Sequence, residues 1–334
     1  MNRPDALHPP VAPTAISRPW LARLHPGLFG MVLGLLGLSG AWQRLAHMEV
    51  GGAAQVSMVL LVLAVGLLVL LLGLWAVKAA RFPGVVRQEW SHPVQGALLA
   101  LLPVSTLMAV ALLVPRYPEV AGVAFPVALL ALVFQGTMAW HVVAALSTGQ
   151  TPPELVTPAL YLPTVPGGFV GAMALDALGW HGWATLLVGM GLGAWALLEM
   201  RILNRLFSGP LPPALRPTLG IEMAPAAVGA LTAATLWPSL PADVLMVMLG
   251  VASGPVLAVL TRWRYWAAVP FNVGFWSFSF PLAALSGAAV EAVGHGGWPV
   301  AVAMSAVGMA SAVVTFLALK TVVLTARGKL LPPV

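Results

Sequence analysis

Apolar residues in this chain fall into ten long blocks separated by short polar gaps, and the blocks are too long and too uniformly apolar to be strands. They run roughly from Gly27 to Arg44, Val56 to Val77, Gly96 to Val114, Val120 to Leu146, Leu160 to Leu178, Trp183 to Leu203, Leu219 to Trp237, Ala242 to Leu260, Asn272 to Val293 and Val300 to Leu324. A helix needs about 20 apolar residues to cross a hydrocarbon core of ~30 Å, so each block reads as a membrane span, numbered 1 to 10 in chain order. The pattern predicts an all-α integral membrane domain over residues 25–326. A flexible tail, residues 1–24, precedes it and a short one, residues 327–334, follows.

Composition agrees: 60% of the residues are hydrophobic, 8% are charged and the mean hydropathy is +0.93. A soluble domain carries about a quarter charged residues. The sixteen Lys and Arg residues are distributed by side. Fourteen lie in the N-terminal tail, the gaps after spans 2, 6 and 8, or at the C-terminal end, and only Arg44 and Arg116 lie in the intervening gaps. The positive-inside rule then places both termini in the cytoplasm. The net charge of +6 needs no nucleic-acid partner, because the cations sit at span ends rather than in one patch. The proline-rich tail has no signal-peptide core, and the absence of cysteine excludes disulfides and thiol chemistry.

Helix breakers mark the odd-numbered spans. Pro103 lies in span 3, Pro163 and Pro166 in span 5, Pro225 in span 7 and Pro281 in span 9. Each frees the carbonyl four residues earlier, such as Leu99 for Pro103 or Ser277 for Pro281, and a freed carbonyl belongs where protein or water can satisfy it. The bias predicts odd-numbered spans on the inside and even-numbered spans toward lipid, although Pro126 and Pro255 lie in even spans. Span 1 carries Gly30, Gly34 and Gly37 on one face, together with Gly27 and Gly40, which suits close packing against another helix.

Chemistry is sparse. His141 in span 4 is the clearest ionisable group at depth, with Asp176, Glu199 and Glu222 nearer span ends. A coupled pump would show more, and a single His beside Trp140 reads first as a packing residue. The tetrapeptide Gly37-Leu38-Ser39-Gly40 matches an intramembrane serine-protease pattern, but in so glycine-rich a span it is expected by chance. There is no H-E-x-x-H and no P-loop. The residues call for no enzyme, metal or cofactor and point to a passive conduit, for an anion or for a neutral solute.

Span 9, from Pro270-Phe271-Asn272-Val273-Gly274-Phe275-Trp276-Ser277-Phe278-Ser279-Phe280-Pro281-Leu282, resembles the matching helix of the tellurite-resistance/dicarboxylate transporter family. That family includes bacterial TehA, plant slow anion channels and fungal malate permeases. His25-Pro26-Gly27-Leu28-Phe29-Gly30, Phe82-Pro83-Gly84, Glu89-Trp90-Ser91-His92-Pro93 and the stretch from Pro158 to Pro166 resemble it too, so the likeness runs from about residue 20 to residue 325 and is strongest to the TehA branch. The resemblance implies five helical hairpins around a central pore, odd-numbered helices inside, and a homotrimer in the bacterial inner membrane. It implies small inorganic or organic anions as permeants, a link to tellurite resistance, and a pore occluded by a phenylalanine of span 9. Phe280, just before Pro281, is the best match for that gate, with Phe278 and Phe275 as alternatives. Proton-linked carriage of C4-dicarboxylates such as malate, or of sulfite, is the alternative function, and His141 would be its titratable group. Thr14 and Ser17 are the only hydroxyl residues of the tail, too few to suggest kinase control of the kind the plant channels show.

Overall fold

A computed structural model of the chain describes residues 19–331, which contain helices and no strand. Ten helical segments are long and apolar enough to cross a membrane: Pro26–His47, Ala53–Arg81, Pro93–Leu113, Pro118–Ser147, Pro158–Ala177, His181–Phe207, Pro213–Leu236, Ala242–Thr261, Val273–Gly296 and Val300–Ala326. These are spans 1 to 10.

Burial divides them into two classes. In the odd-numbered spans 67–89% of the core window is buried, against 22–28% in the even-numbered ones, so the odd spans are inside and the even spans outside. The inner spans touch in a closed circuit, 1 with 3, 3 with 5, 5 with 7, 7 with 9 and 9 back to 1. Each inner span also packs against the outer span that follows it. Outer faces are studded with exposed Val, Leu, Met, Phe and Trp, as a lipid-facing surface requires.

The prolines of the inner spans sit where a helix is broken and restarted rather than inside a continuous one. Span 3 consists of Pro93–Leu99 and Leu101–Leu113, with Pro103 in the first turn of the second piece. Spans 5, 7 and 9 open as 3-10 turns (Pro158–Tyr161, Pro213–Met223, Val273–Phe278) and become α-helical at Val165, Ala224 and Ser279. Pro166, Pro225 and Pro281 fall in the first turn of those α segments, where a missing N–H costs nothing, and Pro163 lies in the turn before Val165. Pro126 and Pro255, by contrast, lie inside unbroken outer helices. The carbonyl freed by Pro166 is that of Leu162, and Gln135 of span 4 donates to it at 2.8 Å and to the Pro163 carbonyl at 2.7 Å.

Span 1 packs its glycine face on span 9. A side-chain carbon at Gly34 would lie 2.1 Å from the Ser279 hydroxyl oxygen, and one at Gly37 would lie 2.8 Å from the Phe280 ring. Only glycine permits this approach, and dispersion over the resulting close contact is what holds helices together in lipid.

The polar gaps are more ordered than hydropathy suggests. Of the segment assigned to the flexible tail, residues 19–24 are described and contain a 3-10 turn, Trp20–Arg23, with Leu21, Ala22 and Leu24 buried; residues 1–18 lie outside the described residues. The turn is pinned because Lys78, fully buried, donates to the Leu24 carbonyl at 2.6 Å while it pairs with Glu89 at 2.6 Å. Glu89 belongs to a short helix, Pro83–Ser91, between spans 2 and 3. At the other terminus, Arg23 Nη1 donates to the Leu331 carbonyl at 2.7 Å, so both described termini meet at one end of the bundle.

Candidate functional site

At that shared end the five inner spans all begin, and between their first turns lies a cavity of about 940 Å³. Its wall comes from all five: Gly27 and Gly30 of span 1, Val94 and Leu98 of span 3, Leu162 and Pro166 of span 5, Thr218 and Ile221 of span 7, and Gly274 and Ser277 of span 9. Its lining reaches Leu33 in span 1, Leu101 at the start of the second piece of span 3, and Ala224, Phe280 and Pro281 in the first turns of the α segments of spans 7 and 9. In spans 3, 7 and 9 this limit coincides with the helix breaks.

Electrostatically the cavity is one-sided. Among the described residues, the charged ones lining it are Arg23 and Lys329, both cations, and none is a carboxylate. None of the five inner spans carries an acidic residue in its first turn, so nothing there offsets the positive ends of the helix dipoles. Outer spans 4 and 8 do carry such residues, Glu119 and Asp243.

Four of the five helix starts are capped by side chains. His25 Nδ1 accepts from the Gly27 N–H at 3.0 Å, and His92 Nδ1 accepts from the N–H groups of Val94 and Gln95 at 3.2 and 3.3 Å. Thr157 Oγ1 accepts from Ala159 at 3.3 Å and Asn272 Oδ1 from Gly274 at 2.9 Å. With Nδ1 an acceptor in both histidines, the proton sits on Nε2, and His25 and His92 face the cavity as hydrogen-bond donors. Burial, and after it the nearby Lys78 charge, push the His25 imidazole down to about 4. These two histidines escaped the sequence reading of ionisable groups; the signal was the repeated His-Pro pair that opens spans 1 and 3.

The candidate phenylalanines part company. Phe280 is buried, lines the inner end of the cavity and lies against Gly37. Phe278 and Phe275 are instead packed among aromatics, Phe278 4.6 Å from Trp266 and Phe275 5.4 Å from Phe271, and neither lines the cavity. His141 lies on outer span 4 with its ring 5.7 Å from that of Trp90, away from the cavity. Asp176 pairs with His181 at 2.7 Å, Glu199 accepts from Tyr161 and Trp195, and Glu222 is paired with Arg262 at 2.9 Å. Each of these acids holds two elements together and none reaches the cavity. At the opposite end, Arg116 donates to Gln43 and Ser57 at 3.0 and 2.8 Å. Burial holds its guanidinium below the ordinary range, opposed by Tyr117 and reinforced by the neighbouring charge of Arg44.

The last described residues cover part of the opening. Lys329, Leu330 and Leu331 line the cavity, and Leu330 and Leu331 pack against the core. A family description, SLAC1, voltage-dependent anion channel, matches residues 23–326. The chain is also similar to the "Tellurite resistance protein TehA homolog" of Haemophilus influenzae, at 28% identity over 312 residues that make up 92% of each protein.

Proposed function

The chain belongs to the SLAC1 family of voltage-dependent anion channels, and we propose that it is a passive anion channel held shut at rest by the Phe280 ring. The observation that carries this reading is the cavity: its charged lining is cationic, five helix N-termini open onto it, and it stops at Phe280. An anion entering it meets dipole ends and the Nε2–H groups of His25 and His92, with no competing carboxylate among the described lining residues. Past these donors the ring closes an apolar constriction, where stripping the hydration shell from an ion costs several kcal/mol. Turning a phenylalanine ~30° away from its preferred rotamer costs only about 0.5–1.5 kcal/mol, so ring rotation is an affordable way to open the path. Selectivity then follows dehydration cost and favours weakly hydrated anions.

The same reading puts the protein in a bacterial inner membrane with both termini in the cytoplasm, in line with the charge bias of the gaps. A homotrimer with one pore per subunit is the assembly we propose, and tellurite tolerance would follow from oxyanion passage. The alternative, proton-linked transport of a dicarboxylate or sulfite, needs a titratable group facing the permeant. His25 and His92 are the histidines so placed, but each commits Nδ1 to a helix cap. Proteoliposomes containing Phe280→Ala, which lacks the proposed gate, and loaded with nitrate, chloride or malate separate the two. A channel releases the anions down their gradients at a rate independent of an imposed pH gradient, and malate uptake that appears only with such a gradient would overturn the channel.

A further inference from the structure

Beyond Phe280 the faces that line the cavity continue toward the opposite end. On span 1 the positions Gly30, Gly37 and Arg44 share one face, and Arg44 lies about 10 Å past Gly37 at 1.5 Å per residue. On span 9 the corresponding series is Phe280, Gly287 and Glu291, the last about 16 Å past the ring. Arg44 Nε lies 2.9 Å from Glu291 Oε1, and its Nη2 donates to Thr235 Oγ1 of span 7 at 2.8 Å. Spans 1 and 7 are not neighbours in the ring of inner helices, so a span 1 side chain that reaches span 7 must cross the interior of that ring. The guanidinium therefore lies across the axis. Its remaining contacts agree, since Nη1 donates to the Gly40 carbonyl at 3.3 Å and its stem lies against Gly287. Both side chains are mostly buried, 15% and 29% exposed.

We infer that Arg44 is the anion-coordinating constriction on the far side of Phe280, and that Glu291 occupies, as a tethered carboxylate, the place a permeating anion takes. The inference rests on the channel reading for its role in permeation, but the anion site itself does not. A guanidinium offers planar paired donors suited to carboxylates and oxyanions. In the resting protein Glu291 satisfies it, so an anion must displace that carboxylate to pass. The lumen is then closed twice, by an apolar ring and by an ion pair, and the second closure is the one that can distinguish anions by shape and charge.

Thermal unfolding of the purified protein, with nitrate replacing gluconate at constant ionic strength, tests the site without any current. Glu291→Gln keeps the side-chain shape and vacates the charge, so nitrate should raise its midpoint by roughly 2–4 °C. Wild type and the Arg44→Gln/Glu291→Gln double variant, which carries no buried unpaired charge, should shift far less. Equal shifts in Glu291→Gln and the double variant would overturn the inference. In a Phe280→Ala background, the double variant should also lose about tenfold in anion-over-cation permeability relative to Glu291→Gln, and an unchanged ratio would count against the site. Absence of current from Phe280→Ala, with the nitrate shift present, would refute the channel reading while leaving the anion site standing.

Discussion

Replacing Gly37 with alanine forces the Phe280 ring to move. The new methyl carbon would lie 2.8 Å from Cδ2 and 3.2 Å from Cε2 of the ring, and 3.1 Å from the Ala283 side chain. Carbon atoms prefer separations of ~3.5–4.0 Å, so the ring contact is short by about 0.7 Å or more. Spans 1 and 9 cannot easily part to relieve it, because Gly34 lies on Ser279 and Gly30 on Trp276 along the same seam. Rotation of the ring is the cheaper escape. Overpacking of this kind costs about 1–3 kcal/mol. If that cost falls on the closed conformation alone, the open population rises by about 5–150-fold. Anion efflux from proteoliposomes measures it, with thermal unfolding as the check that the variant folds. In a Phe280→Ala background there is no ring to displace, so adding Gly37→Ala should change efflux little. An equal increase in both backgrounds, or no increase in the wild-type background from a well-folded variant, would mean that the Phe280 ring is not the gate.

Two further outcomes follow from the cavity. His25 titrates near 4 when folded and near 6.5 when unfolded, so the unfolded chain binds more protons between those values. Its contribution to stability is present above pH 6.5 and is lost as pH falls toward 4. Because the ring partly faces the cavity, the loss should be on the order of 1–3 kcal/mol. His25→Asn, which keeps a capping acceptor, should flatten this part of the pH–stability curve measured by thermal unfolding. Deleting residues 329–334 should uncover the opening and raise anion current severalfold in a Phe280→Ala background; it should also cost about 1–3 kcal/mol of stability through loss of the Arg23 to Leu331 hydrogen bond. Unchanged current would mean that the segment does not obstruct entry.

Much of the architecture was legible because lipid imposes simple rules. Hydropathy located all ten spans, and the proline bias separated inner from outer helices, since broken backbone is tolerated only away from lipid. The glycine face of span 1 was readable as a packing surface, though its partner was not. Span starts were misjudged where the chain is rich in proline. Spans 5 and 7 begin at Pro158 and Pro213 rather than near Leu160 and Leu219, because hydropathy reads a 3-10 lead as a loop. Polar partners were the least legible feature. Lys78 and Arg44 were counted only as cations of the gaps, but Lys78 is sealed against Glu89 and Arg44 reaches Glu291, far away in sequence. Gln135 gave no signal at all, since its role is set by carbonyls that a proline on another helix exposes. His141 drew attention by its depth in the sequence of span 4, but depth does not say which way a side chain faces. His25 and His92 were hidden by their position in the gaps, although the His-Pro repeat was in plain view.

On the proposed reading, Phe280 closes an otherwise continuous anion path. Single-channel recording in planar bilayers, with chloride and nitrate as charge carriers, compares wild type with Phe280→Ala directly. Wild type should carry little or no current and the variant a large, anion-selective one, with nitrate passing more readily than chloride. Equal currents from the two proteins, or a variant current carried by cations, would contradict it.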